Sequence, residues 1–234
     1  MTETRRFWLT HLMLPGAAFG LIVASLSWSG LDLLLADRLY ALQGESWSLK
    51  EHFVTSVVLH RWGRNLLALF WLAIVITAIA ATWSVRLRPY RRGLWYLAAV
   101  MAAAPGLVNL LKGVTHVDCP WDLERYGGTV PYVPLFSSHP GTFRYGQCFP
   151  AAHASGGFAL VGLYFVARRY APPVRWVALG VGLFIGTIYG FAQQLRGAHF
   201  VSHDLWALAV CWVTALVLAQ WLLREPDDQP PASC

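Results

Sequence analysis

The sequence predicts an all-α integral membrane bundle of six transmembrane helices, with a long non-cytoplasmic loop between the third and the fourth. Of the 234 residues, 13% are charged and 56% are hydrophobic, whereas soluble domains carry about a quarter charged residues. The mean hydropathy is +0.47. Apolar runs of roughly 20 residues also recur along the chain, and this is the length that a helix needs to cross a membrane.

Six apolar runs define the predicted spans. They cover residues 7–28, 65–83, 94–111, 150–167, 176–195 and 203–223. The first run could instead be a cleaved signal peptide, but its length favours a retained helix. Residues 31–63 are too polar to span, and the periodicity of 31–42 suits a helix that lies along the membrane interface.

The spans predict a single membrane domain, residues 1–224, whose catalytic-like core covers 95–220. Residues 225–234 are polar and contain proline, so they are expected to form a flexible tail. The fourth and fifth spans are rich in glycine, and small residues let membrane helices approach closely.

The basic residues indicate orientation in a membrane rather than a nucleic-acid partner. The formal net charge is +6, but no basic cluster is interleaved with aromatic residues, and the arginines lie in short loops between apolar runs. By the positive-inside rule, the N-terminus and the segments 84–93 and 168–175 are cytoplasmic. The segments 113–149 and 196–202 then face the other side, which in a bacterial inner membrane is the periplasm.

Titratable residues gather at that non-cytoplasmic face. Lys112 ends the third span, His153 opens the fourth, and Arg196 and His199 lie between the fifth and the sixth. Lysine and arginine neutralise phosphoryl oxygens, while one histidine can attack phosphorus and another can protonate the leaving oxygen. The combination favours phosphoryl transfer that needs no metal or other cofactor.

Each of these residues also has a simpler interpretation when it is taken alone. Lys112 could extend to the membrane interface, as lysines at helix ends often do. His153 could be an ordinary helix cap. The segment 196–204 could be a solvated loop whose acidic end complements the dipole of the sixth span.

A metal site is a further alternative. His199 and His203 are spaced i, i+4, and together with Asp204 they could be metal ligands, but no further carboxylate cluster completes an obvious site. A haem would need histidines that face each other within spans, and only His11 is well inside one.

Three short motifs resemble those of the phosphatidic-acid phosphatase type 2 superfamily, whose patterns are K-x6-R-P, P-S-G-H and S-R-x5-H-x3-D. Here they correspond to Lys112 through Cys119 and Pro120, to Pro150 through His153, and to the stretch from Gln193 to Asp204. The resemblance covers roughly residues 95–220. It implies that Lys112 binds phosphate, His153 protonates the leaving group and His199 forms a phosphohistidine.

The first two motifs depart from the family pattern. Cys119 stands at the position of the first motif's arginine, and Ala151 and Ala152 replace the serine and glycine of the second. Arg125 or Arg144 could supply the missing guanidinium.

The third motif departs twice. Gln193 stands at the arginine position, with Arg196 one helical turn later. His203 stands at the aspartate position, with Asp204 next to it. The resemblance therefore carries Arg196 over as a substitute phosphate ligand. It assigns Asp204, or alternatively His203, to hold the ring of His199.

These residues together predict a membrane-embedded phosphatase that hydrolyses a lipid phosphate or diphosphate. A prenyl diphosphate, phosphatidylglycerophosphate, phosphatidic acid and the phosphates of lipid A are all candidate substrates. Aromatic residues of the long loop are expected to cover the site, namely Trp121, Tyr126, Tyr132 and Phe136. A lipid phosphotransferase with the same site, or a catalytically degenerate non-enzymatic member, is the alternative.

The four cysteines support a separate prediction. Cys119 and Cys148 both lie in the long loop and flank the segment between the first two motifs. In an oxidising compartment they are expected to form a disulfide that ties the third span to the fourth, with two free thiols as the alternative. Cys211 and Cys234 are expected to be unpaired.

Overall fold

The computed structural model describes residues 3–134 and 146–223, and within them the chain forms helices and no β-strands, as predicted. We label the helices α1 to α7. They are α1 (Glu3–Trp8, the π-helical Leu9–Met13 and Leu14–Ser29), α2 (Leu31–Leu42), α3 (the π-helical Phe53–Trp62 and Gly63–Ala80), α4 (Arg91–Thr115), α5 (Ala152–Phe158, a 3₁₀ turn Ala159–Val161 and Gly162–Tyr170), α6 (Arg175–Leu195) and α7 (Val201–Leu222). Short 3₁₀ turns lie at Arg88–Tyr90, Pro120–Asp122, Glu124–Tyr126 and Pro172–Val174.

Five helical segments in the described residues are long and apolar enough to cross a membrane. They are Thr4–Ser29, Phe53–Ala80, Arg88–Asp122, Pro172–Leu195 and Val201–Leu222. They correspond to predicted spans one, two, three, five and six, and they indicate a membrane protein. The predicted fourth span forms α5, which is not among the five. Its start is polar, its last turn holds Arg168 and Arg169, and it packs against α4, α6 and α7.

The second span begins earlier than the sequence predicts. Residues 31–63 were expected not to span, yet α3 starts at Phe53, where the side chain of His52 accepts a hydrogen bond from Val54 N at 3.3 Å. The polar residues within this segment do not end the helix because they are sorted by face. Arg61 and Arg64 are exposed, whereas Thr55 and Ser56 are buried.

Glycines bring α5 and α6 into backbone contact, as their abundance in these two spans predicts. A Cβ atom on Gly157 would lie 2.7 Å from the backbone of Gly186, and one on Gly182 would lie 2.5 Å from Val161 N. No larger side chain fits at either position without displacing the helices. This packing places the first turn of α5 beside the last turns of α6.

Helix α2 and the start of the long loop cover one end of the bundle. Asp32 in α2 accepts a hydrogen bond from Ser202 N, at the start of α7, at 3.0 Å. Trp121 N donates to Gly197 O at 2.8 Å, and Cys148 N donates to Val117 O at 2.9 Å. These bonds hold the two described parts of the loop against the connection between α6 and α7.

Candidate active site

Helix ends bring the predicted residues to this covered end of the bundle. Lys112 lies in the last turn of α4, His153 lies in the first turn of α5, and His199 lies in the loop between α6 and α7. Ala151 N donates to His203 O at 3.1 Å, which fixes the start of α5 against the start of α7.

His199 and His203 form a buried pair. Their Nδ1 atoms are 3.4 Å apart, and the backbone of Cys148 lies beside both rings. Only 7% of His199 and 3% of His203 are exposed. Helical geometry explains the pairing, since residues four apart lie on the same side of a turn. Between two neutral imidazoles one nitrogen must donate and the other accept, so the contact couples the tautomers of the two rings.

Asp204 does not hold the ring of His199. Its Oδ2 accepts a hydrogen bond from Gln194 Nε2 at 2.6 Å, and its Oδ1 has no hydrogen-bond partner within the described residues. Asp204 follows His203 directly, so its side chain leaves α7 on a different face and lies against Gly190 of α6. Of the two residues that the sequence offered for this position, His203 is the one that contacts His199.

Burial lowers the pKa of His199 well below its ordinary value, because desolvation disfavours the charged ring. The positive charge of Lys112 lowers it further. His199 is therefore neutral at neutral pH. A neutral imidazole has the free lone pair that attack on phosphorus requires.

Lys112 is half-buried and makes no hydrogen bond or ion pair with any residue that the structure describes. Its charge nevertheless acts on His199. An ammonium group with three donors therefore stands near the paired histidines, as binding of a phosphoryl oxygen requires.

His153 lies in an aromatic recess beside α3 and α6. Its Nε2–H donates to Leu59 O at 3.1 Å. Its ring stacks on Tyr189 with 4.6 Å between centroids, and the ring of His60 is 4.5 Å away. Because the carbonyl fixes the proton on Nε2, the neutral ring presents the lone pair of Nδ1 to a neighbouring group.

Gln193 and Arg196 belong to one hydrogen-bonded chain. Arg196 Nη1 donates to Gln193 Oε1 at 3.1 Å, and Gln193 Nε2 lies 3.1 Å from His60 Nδ1. Arg196 Nε donates to Lys50 O at 2.7 Å, and its Nη2 lies 3.9 Å from Glu51 Oε1. Gln193, which stands where the family motif has arginine, thus links Arg196 to His60 and from there to His153.

Burial lowers the pKa of Arg196 and the nearby Glu51 carboxylate opposes that change. An arginine in water has a pKa above about 12, so the guanidinium keeps its charge. A guanidinium has five N–H donors, and the contacts with Lys50, Gln193 and Glu51 leave some of them for a ligand.

His60 and Tyr189 are the site residues that the sequence analysis did not find. His60 was assigned to a segment too polar to span, and Tyr189 was counted only as part of an apolar run. The available signal was the spacing of Ser56 and His60, four residues apart, which places both on one face of a helix. Ser56 is buried, so this face of the helix points into the bundle.

Arg125, one of the two candidates to replace the arginine missing from the first motif, does not reach the site. Arg125 instead forms a two-point ion pair with Asp37 of α2, with Nε–Oδ1 at 2.7 Å and Nη2–Oδ2 at 2.6 Å. This contact lowers the pKa of the Asp37 carboxyl. Arg144 lies outside the described residues.

Aromatic side chains of the long loop pack where α2 and the loop cover the end of the bundle that holds the candidate site. Tyr126 is buried among the rings of Tyr40 and Trp47, and Trp121 lies under Lys50 Nζ at 4.1 Å. Tyr132 packs against Phe200 with 6.1 Å between centroids. Phe136, also predicted to belong to this cover, lies outside the described residues.

The described residues contain no group of three or more histidine, cysteine, aspartate or glutamate side chains arranged to hold a metal ion. The combination of His199, His203 and Asp204 does not form one, because Asp204 faces Gln194 and Gly190 rather than the two rings.

The model of one protein family, the PAP2 superfamily, matches residues 93–227. The chain belongs to the PAP2 superfamily. This confirms the resemblance drawn from the three motifs, and the match includes Lys112, His153 and His199. The superfamily consists generally of phosphatases, which often act on lipid phosphates. Comparisons with curated proteins and with solved structures find no match.

Proposed function

We propose that this PAP2 protein is a membrane-embedded phosphatase that hydrolyses a lipid phosphate or diphosphate through a phosphohistidine on His199. The observation that carries the proposal is the buried His199–His203 pair, with 3.4 Å between Nδ1 atoms, beside the charge of Lys112. A neutral, oriented imidazole next to a cation that has no partner among the described residues suits nucleophilic attack on a phosphoryl group.

In the first step a lone pair of His199 attacks phosphorus, an N–P bond forms and the bond from phosphorus to the leaving oxygen breaks. Lys112 and Arg196 neutralise the phosphoryl oxygens. His153, in its protonated form, gives a proton to the leaving oxygen when that oxygen belongs to a lipid alcohol. A diphosphate substrate instead releases a lipid monophosphate, which leaves as a stable anion.

In the second step water attacks the phosphohistidine. His153, neutral after it has protonated a lipid alcohol, takes a proton from the water while the N–P bond breaks, which releases inorganic phosphate and restores both histidines. With a diphosphate substrate His153 is neutral from the start and passes this proton to solvent. The rings of His60 and Tyr189 both contact the ring of His153, so the two residues act as positioning residues.

An amphiphilic substrate fits a site at the end of a helix bundle. The lipid chain can stay in the hydrocarbon layer while the phosphate reaches Lys112, and the aromatic cover formed by Trp121, Tyr126 and Tyr132 limits the headgroup. Prenyl diphosphates, phosphatidylglycerophosphate, phosphatidic acid and lipid A phosphates all meet this description.

The proposal includes a topology with α5 as a sixth span, a cytoplasmic N-terminus and a site facing the periplasm of a bacterial inner membrane. The positive-inside rule supports it, because the arginine-rich segments 84–93 and 168–175 lie at the opposite end of the bundle from His199. A cysteine introduced at exposed Arg88 should resist a membrane-impermeant maleimide in intact cells, whereas one at exposed His52 should react. The reverse pattern would refute the orientation.

The decisive experiment measures phosphate release from a panel of lipid phosphates and diphosphates. His199→Ala should abolish release and also abolish acid-labile labelling of the protein by a ³²P substrate. His52→Asn is the matched control, since it removes an exposed histidine at the same end but keeps a helix-capping side chain. Label that appears on a second lipid instead of as free phosphate would indicate a phosphotransferase. Equal release by wild type and His199→Ala would refute the proposal.

A further inference from the structure

A large cavity lies between α1, α5, α6 and α7. Its volume is about 1030 Å³, just above the range of about 300–1,000 Å³ found for small-molecule sites. Four arginines line it, namely Arg6, Arg168, Arg169 and Arg175, together with Tyr164 and Trp212. We call this cavity the arginine groove.

The arginine groove is at the opposite end of the bundle from the candidate active site. Arg175 is the first residue of α6, and His199 follows the last. Since α6 has 21 residues and a helix rises about 1.5 Å per residue, roughly 30 Å separate the two ends. The groove is therefore a separate site and not an extension of the first.

The arginines of the groove are held mainly by aromatic rings and backbone. The guanidinium of Arg168 lies 4.7 Å from the ring centroid of Phe7, and that of Arg175 lies 5.5 Å from the ring of Trp176. Arg175 Nη1 also donates to Pro172 O at 3.1 Å. Neither residue forms an ion pair with a carboxylate in the described part of the chain. Among the described residues, their positive charges are thus positioned but not neutralised by a carboxylate.

Polar groups within α1 build the inner wall of the groove. His11, which is buried in the first span, has Nε2 2.9 Å from Tyr164 Oη, and its backbone carbonyl accepts a hydrogen bond from Trp212 Nε1 at 2.6 Å. These contacts fasten α1 to α5 and α7, so the wall is fixed before any ligand arrives.

The groove also has apolar walls. Phe165, Leu179 and Trp212 are among its lining residues, and α6 exposes large apolar side chains next to Arg175, with Trp176 61% exposed and Val177 68% exposed. Exposed apolar residues on a membrane helix face lipid tails. A phosphate diester attached to acyl chains matches both halves of this lining, whereas a free phosphate ion matches only the charged half.

We propose that the arginine groove binds one anionic phospholipid of the surrounding bilayer, with its phosphate diester at Arg6, Arg168 and Arg175 and its acyl chains along the apolar wall. Basic pockets between membrane helices bind acidic headgroups by the same electrostatics. The lipid site does not depend on the proposed phosphatase activity, because the arginine groove shares no residue with the candidate active site.

The test uses the full-length protein in phosphatidylcholine nanodiscs that contain a trace of photoactivatable phosphatidylglycerol, with photoactivatable phosphatidylcholine as the comparison. After irradiation, mass spectrometry should find phosphatidylglycerol attached to peptides that cover residues 164–179 and 212–223, several-fold above phosphatidylcholine. Excess inorganic phosphate should not reduce the labelling. Equal labelling by the two lipids, or displacement by phosphate, would overturn the proposal.

Two variants with the same loss of charge localise the effect. Arg6→Gln/Arg168→Gln/Arg175→Gln should lower phosphatidylglycerol labelling to the phosphatidylcholine level. Arg86→Gln/Arg88→Gln/Arg91→Gln, which removes three arginines from the same end of the bundle but outside the groove, should leave it unchanged. An equal loss of phosphatidylglycerol labelling in both variants would mean that surface charge alone attracts the lipid. That result would overturn the proposed site. Should the first variant fail to fold, the comparison of the two lipids on the wild type decides alone.

Discussion

His203 lies against His199, with 3.4 Å between their Nδ1 atoms, at the position where the motif of the superfamily has aspartate. An aspartate would attract the positive charge that develops on an attacking imidazole. A histidine can orient the ring by a hydrogen bond but carries no negative charge. Together with burial, the histidine pair keeps His199 neutral, and this neutrality determines how the site should respond to pH.

His203→Asp is expected to move the acidic limb of kcat/KM to higher pH. Activity requires neutral His199 and falls as the pH drops below the pKa of that residue. Burial lowers this pKa in the wild type, so activity persists into acid, whereas a carboxylate raises the pKa and activity is lost earlier. Full pH profiles of the purified variants measure the difference. His203→Asn, which adds no charge, should keep the acidic limb near that of the wild type, and an identical shift in both variants would contradict the electrostatic cause.

Gln193→Arg is expected to lower activity, although it restores the family motif. Gln193 is 3% exposed and contacts Arg196 and His60, so a second guanidinium would meet one already buried there. An uncompensated buried charge costs about 3–5 kcal/mol. The double variant Gln193→Arg/Arg196→Gln should recover most of the loss, because it exchanges the two positions.

A double-mutant cycle on kcat/KM and on the thermal unfolding midpoint tests this exchange. Strong positive coupling between the two substitutions is expected, since the side chains are in direct contact. If Gln193→Arg alone raises activity, Arg196 has not taken over from the motif arginine and this account of the site is wrong.

The sequence predicted most of the bundle because length and hydropathy determine which segments can span. It also placed Lys112, His153 and His199 at helix ends on one face, and the structure has them at the end of α4, at the start of α5 and between α6 and α7. It could not rank Asp204 against His203. These neighbours differ by about 100° around a helix, and the rotation of α7 against α6 that decides which one faces His199 depends on packing at Gly190.

The start of α3 and the role of His60 were missed for a related reason. Arg61 and Arg64 lower the average hydropathy of the segment, but both point outward while Ser56 points inward. An average over a window does not separate the two faces of a helix. Likewise, the pairing of Arg125 with Asp37 joins positions 88 apart in the chain, and no local pattern encodes such a contact.

Cys119 and Cys148 are predicted to form a disulfide that supports the active site. Their Cα atoms are 5.2 Å apart with the sulfur atoms in bonding contact, within the range that disulfides require. The backbone of Cys148 touches both His199 and His203, so freeing it should disturb the pair. Cys119→Ser/Cys148→Ser should lower stability by about 2–4 kcal/mol and reduce kcat.

Alkylation before and after reduction, followed by mass spectrometry, measures the pairing directly. Protein from an oxidising membrane should show two fewer alkylated thiols before reduction than after it. Cys211→Ser removes a buried thiol in α7 and serves as the control, since it should leave this difference unchanged. Two freely alkylated thiols at Cys119 and Cys148 would contradict the prediction.

Gly157→Ala is expected to destabilise the protein and lower activity, because α5 carries His153 four residues earlier. The added Cβ would lie 2.7 Å from the backbone of Gly186, and overpacking of this kind costs about 1–3 kcal/mol. Gly156→Ala is the matched control. Its Cβ would lie 3.3 Å from Leu67 Cδ1, the end of a flexible side chain that can move. Thermal unfolding in detergent should therefore show a clear drop in midpoint for Gly157→Ala and a small change for Gly156→Ala. Similar midpoints for both would mean that backbone contact between α5 and α6 does not set the position of His153.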